Sequence, residues 1–256
     1  MGAVLDKNKK LRTYKNIIFL VLITCLISIL LAANVSCNTS LVRGSGNVLS
    51  EERAVSGFSK LIISGSGEIF IEQGDEESLT IIAEDNIIPL ITTEVSGSTL
   101  NISTLNFSPE QQSIVMNTKS IEIHIRVKNL DSISTPGIAS INCSGLTTGS
   151  LTIETSGLSN VVMSNLKTNS IDIDATGTGN YKMAGNTDNL NISTSGTGNC
   201  DARDLESKEC KIEARGTGNI TVNVSDNLDV FIGGSGNVSY IGNPTVEPTR
   251  GFLLQE

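Results

Sequence analysis

The chain is 256 residues long, room for one large domain or two small ones, and it carries 18 Lys and Arg against 27 Asp and Glu. Five of the basic residues and one acid precede residue 38, so the remainder holds 13 basic and 26 acidic side chains, a balance that excludes a nucleic-acid binder working through a basic surface. The single histidine, His124, excludes any mechanism that needs two, and the sequence speaks more to architecture and address than to activity.

Residues 1–16 are polar and basic, with Lys7, Lys9, Lys10, Arg12 and Lys15. An apolar run follows from Ile17 to Ala33, broken only by small Ser, Thr and Cys. Charge first, apolar run second and small residues third is the order of an export signal. Its 17 residues also sit at the lower edge of a membrane span. Asn34-Val35-Ser36-Cys37 comes next. A small residue before Cys suits bacterial lipoprotein processing, in which the thiol receives a diacylglycerol, and Cys37 is the lipidation candidate. An aliphatic residue ordinarily stands where Asn34 does. Three readings stay open: a lipoprotein signal through residues 1–37, an uncleaved N-terminal anchor, and simple secretion. All three put residues 38–256 outside the cytoplasmic membrane, and the first two attach them to it. Residues 38–43 read as a short tether and 44–250 as one continuous domain, because no Pro-rich linker interrupts them.

Residues 44–130 are strand-like but irregular. Lys60–Glu72, Ser78–Ala83, Thr99–Thr104 and Ser120–Val127 alternate apolar and polar side chains, the period of a strand with one buried face. Glu84–Ile91, with its Pro89, is the one helical turn expected after the export segment, and Asn106–Lys119 reads as a polar loop. This half is expected to form the first coils, with insertions, and then a hairpin-like extension.

From Gly137 onward a motif returns. Gly157-Leu158-Ser159-Asn160, Gly177-Thr178-Gly179-Asn180, Gly196-Thr197-Gly198-Asn199, Gly216-Thr217-Gly218-Asn219 and Gly234-Ser235-Gly236-Asn237 follow a degenerate Gly137-Ile138-Ala139-Ser140 at spacings of 20, 20, 19, 20 and 18. Alignment on the first Gly exposes apolar columns. Ile141, Val161, Tyr181, Cys200, Ile220 and Val238 stand four after it, and Cys143, Met163, Met183, Ala202, Val222 and Tyr240 six after. Leu151, Ile171, Leu190, Cys210 and Leu228 stand six before, and Ile153, Ile173, Ile192, Ile212 and Val230 four before. Leu146, Leu166 and Leu205 add a third point. The pattern predicts an all-β parallel β-helix with coils of about 20 residues, stacked at ~4.8 Å so that like lies over like. The first Gly of each corner is expected to hold positive φ, and the Asn three later to tolerate left-handed geometry and pass an amide hydrogen bond along the stack. A phosphate-cradling loop is the functional rival for these glycines, but it needs one loop between a strand and a helix.

Arg43-Gly44-Ser45-Gly46-Asn47, Val55-Ser56-Gly57-Phe58, Ile63-Ser64-Gly65-Ser66-Gly67-Glu68, Gly74-Asp75-Glu76-Glu77-Ser78-Leu79, Ala83-Glu84-Asp85-Asn86 and the GTGN repeats together resemble the auto-transporter adhesin head GIN domain family, over about residues 44–245. The resemblance implies a right-handed β-helix shaped like the pectin lyases without their catalytic residues, export to the cell surface, and adhesion. Arg215 departs from the pattern by replacing the Ser or Thr before a corner, and the last corner is eroded to Thr249-Arg250-Gly251.

Candidate chemistry is sparse. His124 falls on the polar face of a strand. Cys143, Cys200 and Cys210 fall in apolar columns, where Cys acts as a small hydrophobe, although an exported protein is able to pair Cys200 with Cys210. Glu154, Asp174, Ser193 and Glu213 form an outward row whose first two members are neighbours, a conceivable Ca²⁺ site or a solvated acidic face. Lys211 with Asp229 and Lys182 with Asp201 are expected to stack as surface ion pairs. The chain has no Trp, and Tyr181 and Tyr240 point inward, which leaves no obvious sugar platform. No catalytic, cofactor or metal residues are assigned. The expected partners are the membrane, through the N-terminus, and an unidentified surface molecule, protein or glycan. A carbohydrate-active enzyme on the same scaffold and a purely structural envelope protein are the alternatives.

Overall fold

The computed structural model describes residues 39–104, 107–108, 111–116, 119–247 and 253–255; the export segment, Cys37 and Arg250 lie outside them, as does part of the 106–119 loop. Among the described residues no helix is long and apolar enough to cross a membrane.

The chain opens with β1 (Thr39–Arg43), β2 (Val48–Arg53), β3 (Lys60–Ser64), β4 (Ser66–Gln73) and β5 (Ser78–Glu84). A 3-10 turn at Ile88–Leu90, set by Pro89, falls where the helical turn was expected, and β6 (Thr92–Ser96) and β7 (Thr99–Ser103) follow. β8 (Phe107–Ser108) and β9 (Gln111–Met116) form a small separate sheet with β1, before β10 (Glu122–Val127). The coils proper are β11 (Ser132–Thr135), β12 (Ile138–Ser144) and β13 (Thr147–Thr155), then β14 (Leu158–Ala175), β15 (Thr178–Thr194), β16 (Cys200–Ala214) and β17 (Asn219–Ile232). β18 (Asn237–Ile241), β19 (Thr245–Val246) and β20 (Leu253–Gln255) finish the stack. The result is a parallel β-solenoid of about six turns.

Each long strand contributes its first part to one face of the solenoid and its second part to another. Both parts pair in parallel with the coil before and the coil after. The register places Ile153 on Ile173, Ile173 on Ile192, Ile192 on Ile212 and Ile212 on Val230. All five are buried, as are the other inward columns, except Tyr240, which is only partly covered at the end of the stack. A coil has no second layer of its own, so its apolar face is removed from water by its neighbours. The few buried polar groups are paired within the stack: Thr135 with Ser159 at 2.9 Å, and Thr155 with the Tyr181 hydroxyl.

The unequal spacings have a local cause. β14 and β15 slip register between Met163 and Leu166, where Asn165 adopts φ 55 and Leu166 comes to face Gly185. β16 and β17 slip between Ala202 and Glu206 and again between Ser207 and Glu209. These slips, and a further one between β15 and β16 after Lys182, fall between the two faces. Residues are gained and lost at that edge and not at the glycine corner, so the corners stay aligned.

The N-terminal half supplies the coil and the hairpin expected of it, but its strands do not stack in chain order. β3 and β4 form one coil, and β11 and β12 stack on one side of it. On the other side lie β7 and β10. The coil of residues 60–73 is thus sandwiched between strands that come 26 or more residues later in the chain. β6 pairs antiparallel with β7, β5 antiparallel with β10, and β2 antiparallel with β5. An antiparallel partner needs only a hairpin turn, whereas each further parallel partner needs a complete coil. Folding strands back in this way covers the open end of the stack, which would otherwise present unpaired backbone.

Candidate binding surface

The corner glycines form a column, with Gly65, Gly137, Gly157, Gly177, Gly196, Gly216 and Gly234 lying one above another. None of the last six adopts positive φ, which corrects the expectation for the first Gly of the motif. Their requirement is steric. A Cβ on Gly196 would overlap the carbonyl oxygen of Gly177, and one on Gly177 would overlap that of Gly157, so any side chain would pry the coils apart. Positive φ occurs instead at the second Gly of two corners, Gly198 and Gly218, both at +149°. None of the corner Asn residues is left-handed either.

Those Asn residues, Asn160, Asn180, Asn199, Asn219 and Asn237, form an exposed amide ladder. Asn180 Nδ2 donates to Asn160 Oδ1 at 3.4 Å, Asn199 Nδ2 to Asn180 Oδ1 at 3.3 Å, and Asn237 Nδ2 to Asn219 Oδ1 at 3.0 Å. The backbone N–H of Asn219 donates to Asn199 Oδ1 at 2.9 Å. Coil-to-coil bonds also occupy the corner amides: Thr178 N–H donates to Gly157 O at 2.9 Å, Gly179 N–H to Thr197 O at 2.9 Å and Gly198 N–H to Thr217 O at 3.0 Å. A phosphate-cradling loop needs such N–H groups turned toward a ligand. Here they are consumed by the scaffold.

Beside the ladder runs a second outward column: Ile138, Leu158, Thr178, Thr197 and Thr217. Ile138 and Leu158 are 56% and 52% exposed, unusual for large aliphatic residues stacked together on a protein this acidic. They line a groove of about 780 Å³ with Ser140, Asn160 and Asn180. Among its lining residues only Lys119 is charged, and its Nζ donates to Gly46 O at 2.9 Å.

A second groove, of about 520 Å³, opens on the same face nearer the N-terminal end. Phe70 and His124 are register partners on β4 and β10, and their rings stack with centroids 4.7 Å apart and planes 13° apart. His124 Nε2 lies 3.5 Å from Glu122 Oε2, and Arg126 Nη2 donates to Glu72 Oε2 at 3.2 Å. Sequence reading placed His124 on a polar face but missed its partner. Phe70 shows only as an outward aromatic in Lys60–Glu72, and the two meet across 54 residues of chain through register alone.

The remaining candidates resolve as follows. Glu154 and Asp174 are register neighbours, followed by Ser193 and Glu213. Glu213 is drawn to Arg215, whose Nη1 donates to it at 2.5 Å, and Arg215 also lies over the Phe231 ring at 5.4 Å. Among the described residues no group of three or more His, Cys, Asp or Glu is placed to hold a metal ion. Lys211 and Asp229, and Lys182 and Asp201, are register neighbours, but Lys211 and Asp201 make their close ion pairs within their own strand, which corrects the expected stacking for these two pairs. Lys211 Nζ lies 3.8 Å from Glu213 and Arg203 Nε 2.8 Å from Asp201, because side chains two apart on one face meet as readily as those on adjacent coils. Burial opposes ionisation of Asp201, but hydrogen bonds from Arg203 and the charges of Arg203 and Lys182 outweigh it and hold the carboxyl below its ordinary value. Cys143, Cys200 and Cys210 are free and buried, so Cys200 and Cys210 are not joined. Burial pushes the Cys143 thiol up to about 11 and Cys200 to about 12, and raises Cys210 as well.

Two of the quoted motif pairs meet each other. Gly46 N–H donates to Glu84 Oε1 at 2.6 Å, Ser45 N–H to Asn86 Oδ1 at 3.0 Å and Asn47 Nδ2 to Asp85 Oδ2 at 3.0 Å. Hydrogen bonds from Ser45 and Asn47 lower the Asp85 carboxyl. Gly57 N–H donates to Glu77 Oε2 at 2.7 Å. These conspicuous polar motifs thus pin the N-terminal strands in place.

A family model described as "Putative auto-transporter adhesin, head GIN domain" matches residues 57–244. The solved structure of a protein described as a putative adhesin from Bacteroides fragilis superposes with a TM-score of 0.77 at 27% identity, covering 84% of this chain and 98% of that one. A second such protein, from Parabacteroides distasonis, gives 0.63 at 22%, covering 85% and 100%. A third, described as a putative lipid binding protein from the same species, gives 0.62 at 20%, covering 85% and 100%. The last two show the fold alone. No curated protein matches the chain.

Proposed function

The chain belongs to the auto-transporter adhesin head GIN domain family, and from that premise we propose that it is a non-enzymatic binding module of the adhesin type, exported and held at the cell envelope by its N-terminus. One observation carries the binding reading. The corner face presents Ile138 and Leu158 to solvent in a groove whose only charged lining residue is Lys119, on a chain of net charge −9. Stacked apolar side chains left in water on a self-contained scaffold mark an interaction surface. The solenoid supplies rigidity, since each coil is locked to its neighbours by ladders on both faces.

The address rests on residues 1–37 and is tested first. Protease added to intact spheroplasts should degrade the chain while cytosolic markers survive; full protection of the chain would reject export. Cys37→Ala should release the protein if Cys37 is lipidated and leave it bound if residues 17–33 remain as an anchor. The binding reading is tested with beads carrying the full-length protein on epithelial monolayers and immobilised mucin. Wild-type beads should be retained under flow and Leu158→Asp beads should wash off. Retention no better than that of bare beads refutes it.

A further inference from the structure

The Phe70–His124 groove has a more specific chemistry than the corner face, and the argument for it does not rest on the corner face. Along this outward column the order is Thr80, His124, Phe70, Asn142, Val162. The rings of Phe70 and His124 stack nearly parallel at 4.7 Å, about the spacing of adjacent strands, so the ring normals run along the stack. One face of Phe70 is covered by the imidazole. The other looks over the shorter Asn142 toward Val162, which is 43% exposed. This leaves a slot with an aromatic wall, an aliphatic wall and an amide floor. Arg126 and Glu72, paired at 3.2 Å, flank it on one side, and Ser144 and Ser164 continue that side. Gly74 gives Arg126 its room, since a Cβ there would come within 2.8 Å of Arg126 Cδ.

Three ligand classes fit poorly. An extended peptide adding as a strand needs free backbone, yet β5, β10, β4, β12 and β14 are continuously paired across this face. An anion would meet Glu72 and Glu122, with Arg126 already engaged. An acyl chain needs an enclosed apolar cavity, and this slot is shallow and edged by polar groups. What fits is a small molecule with an apolar C–H face and a rim of neutral hydroxyls. We infer that the slot between Phe70 and Val162 binds a neutral pyranose, its C–H face against the free face of Phe70 and its hydroxyls on Asn142 and the Arg126–Glu72 pair. Stacking on one ring with two or three hydrogen bonds gives a weak single site, so useful retention comes from many copies on one surface.

The test is saturation-transfer NMR on the full-length chain in a sugar-free detergent, using methyl α-mannopyranoside, methyl β-galactopyranoside, methyl β-glucopyranoside and N-acetylglucosamine as probes. At least one should receive saturation at its ring C–H protons. The signal should fall at least fivefold in Phe70→Ala and in Asn142→Ala, survive in Phe70→Trp, and be unchanged in Leu158→Asp. Asn142 is only half-buried, so its variant reports on the slot even if Phe70→Ala fails to fold. No transfer to any of the four probes overturns the inference, as does transfer that persists in Asn142→Ala and in folded Phe70→Ala. Because Leu158→Asp disables only the corner face, failure here and failure of the bead assay are separate results.

Discussion

In the coils from Gly137 to Ile241, residues rest on counterparts 17 to 20 positions away, and side chains of like character recur up the inward columns. In the half from Gly44 to Leu130, the neighbours above and below a strand come from elsewhere in the chain, and antiparallel strands close the end. Both halves bury aliphatic residues on the same two faces. They differ in what specifies the arrangement. The regular half is specified by translation, in which one unit fitting its copy fixes every other unit. The irregular half is specified by individual polar contacts, such as Gly46 with Glu84 and Gly57 with Glu77. A translated array tolerates no local bulk, whereas an individually pinned one tolerates no loss of a particular pin.

The largest expected effect breaks a ladder. Ile173 is 3% exposed, between Ile153 and Ile192, and Ile173→Asp should cost ~4 kcal/mol or prevent folding, because an unpaired carboxylate is buried in two interfaces at once. Asp174→Ile, one residue over on the outer face, should stay within ~0.5 kcal/mol. Equal falls in urea midpoint for the two variants would refute the assigned strand phase.

Glycines sharpen the comparison next. Gly196→Val should cost ~1–3 kcal/mol through the clash with Gly177, and Gly196→Asn should recover none of it. Gly97, in the turn between β6 and β7, holds φ +59 with nothing near the Cβ position. Gly97→Ala should cost ~1 kcal/mol and Gly97→Asn should recover most of that, since Asn tolerates left-handed backbone. Denaturation of the four variants decides the matter: rescue by Asn at both positions would mean that the corner glycines answer to φ and not to contact.

Alkaline pH should act on the regular half, because residues 44–130 contain no cysteine. Burial raises the thiols of Cys143 and Cys200 from an ordinary value of 9.0 to about 11 and about 12. The folded values are the higher ones, so the stabilisation is complete below pH ~9 and is lost as pH rises toward 12. The urea midpoint should therefore decline over that window, and the decline should be shallower in a Cys143→Ala, Cys200→Ala, Cys210→Ala variant. An unaltered slope would place the thiols in contact with solvent.

The smallest expected effect is on the amide ladder. Asn199→Ala removes exposed hydrogen bonds to Asn180 and Asn219 and should cost ~0.5–1 kcal/mol, while Thr197→Val beside it should be near neutral. A loss as large as that of Gly196→Val would make the ladder, and not the close approach of coils, the main restraint at the corner.

Much of this was legible in the chain because repetition is a sequence property. The spacing from Gly137 to Gly234 and the alternation around it determine the solenoid, the inward columns and the buried cysteines, since only one strand phase puts Ile153, Ile173, Ile192 and Ile212 together. The role of the corner glycine was misread as a matter of φ, because the clash that forbids a side chain there involves the carbonyl of a residue about 20 positions earlier, which no local pattern displays. Interleaving of residues 60–73 between later strands was likewise out of reach, as was the pairing of Ser45-Gly46-Asn47 with Glu84-Asp85-Asn86. The same holds for the candidate site. Exposure of Ile138 and Leu158 and the stacking of Phe70 on His124 depend on which strands end up side by side, and only tertiary register decides that. Periodicity encodes contacts between like units. Contacts between unlike segments are set by where the chain returns, and that was settled by the need to close the open end of the stack.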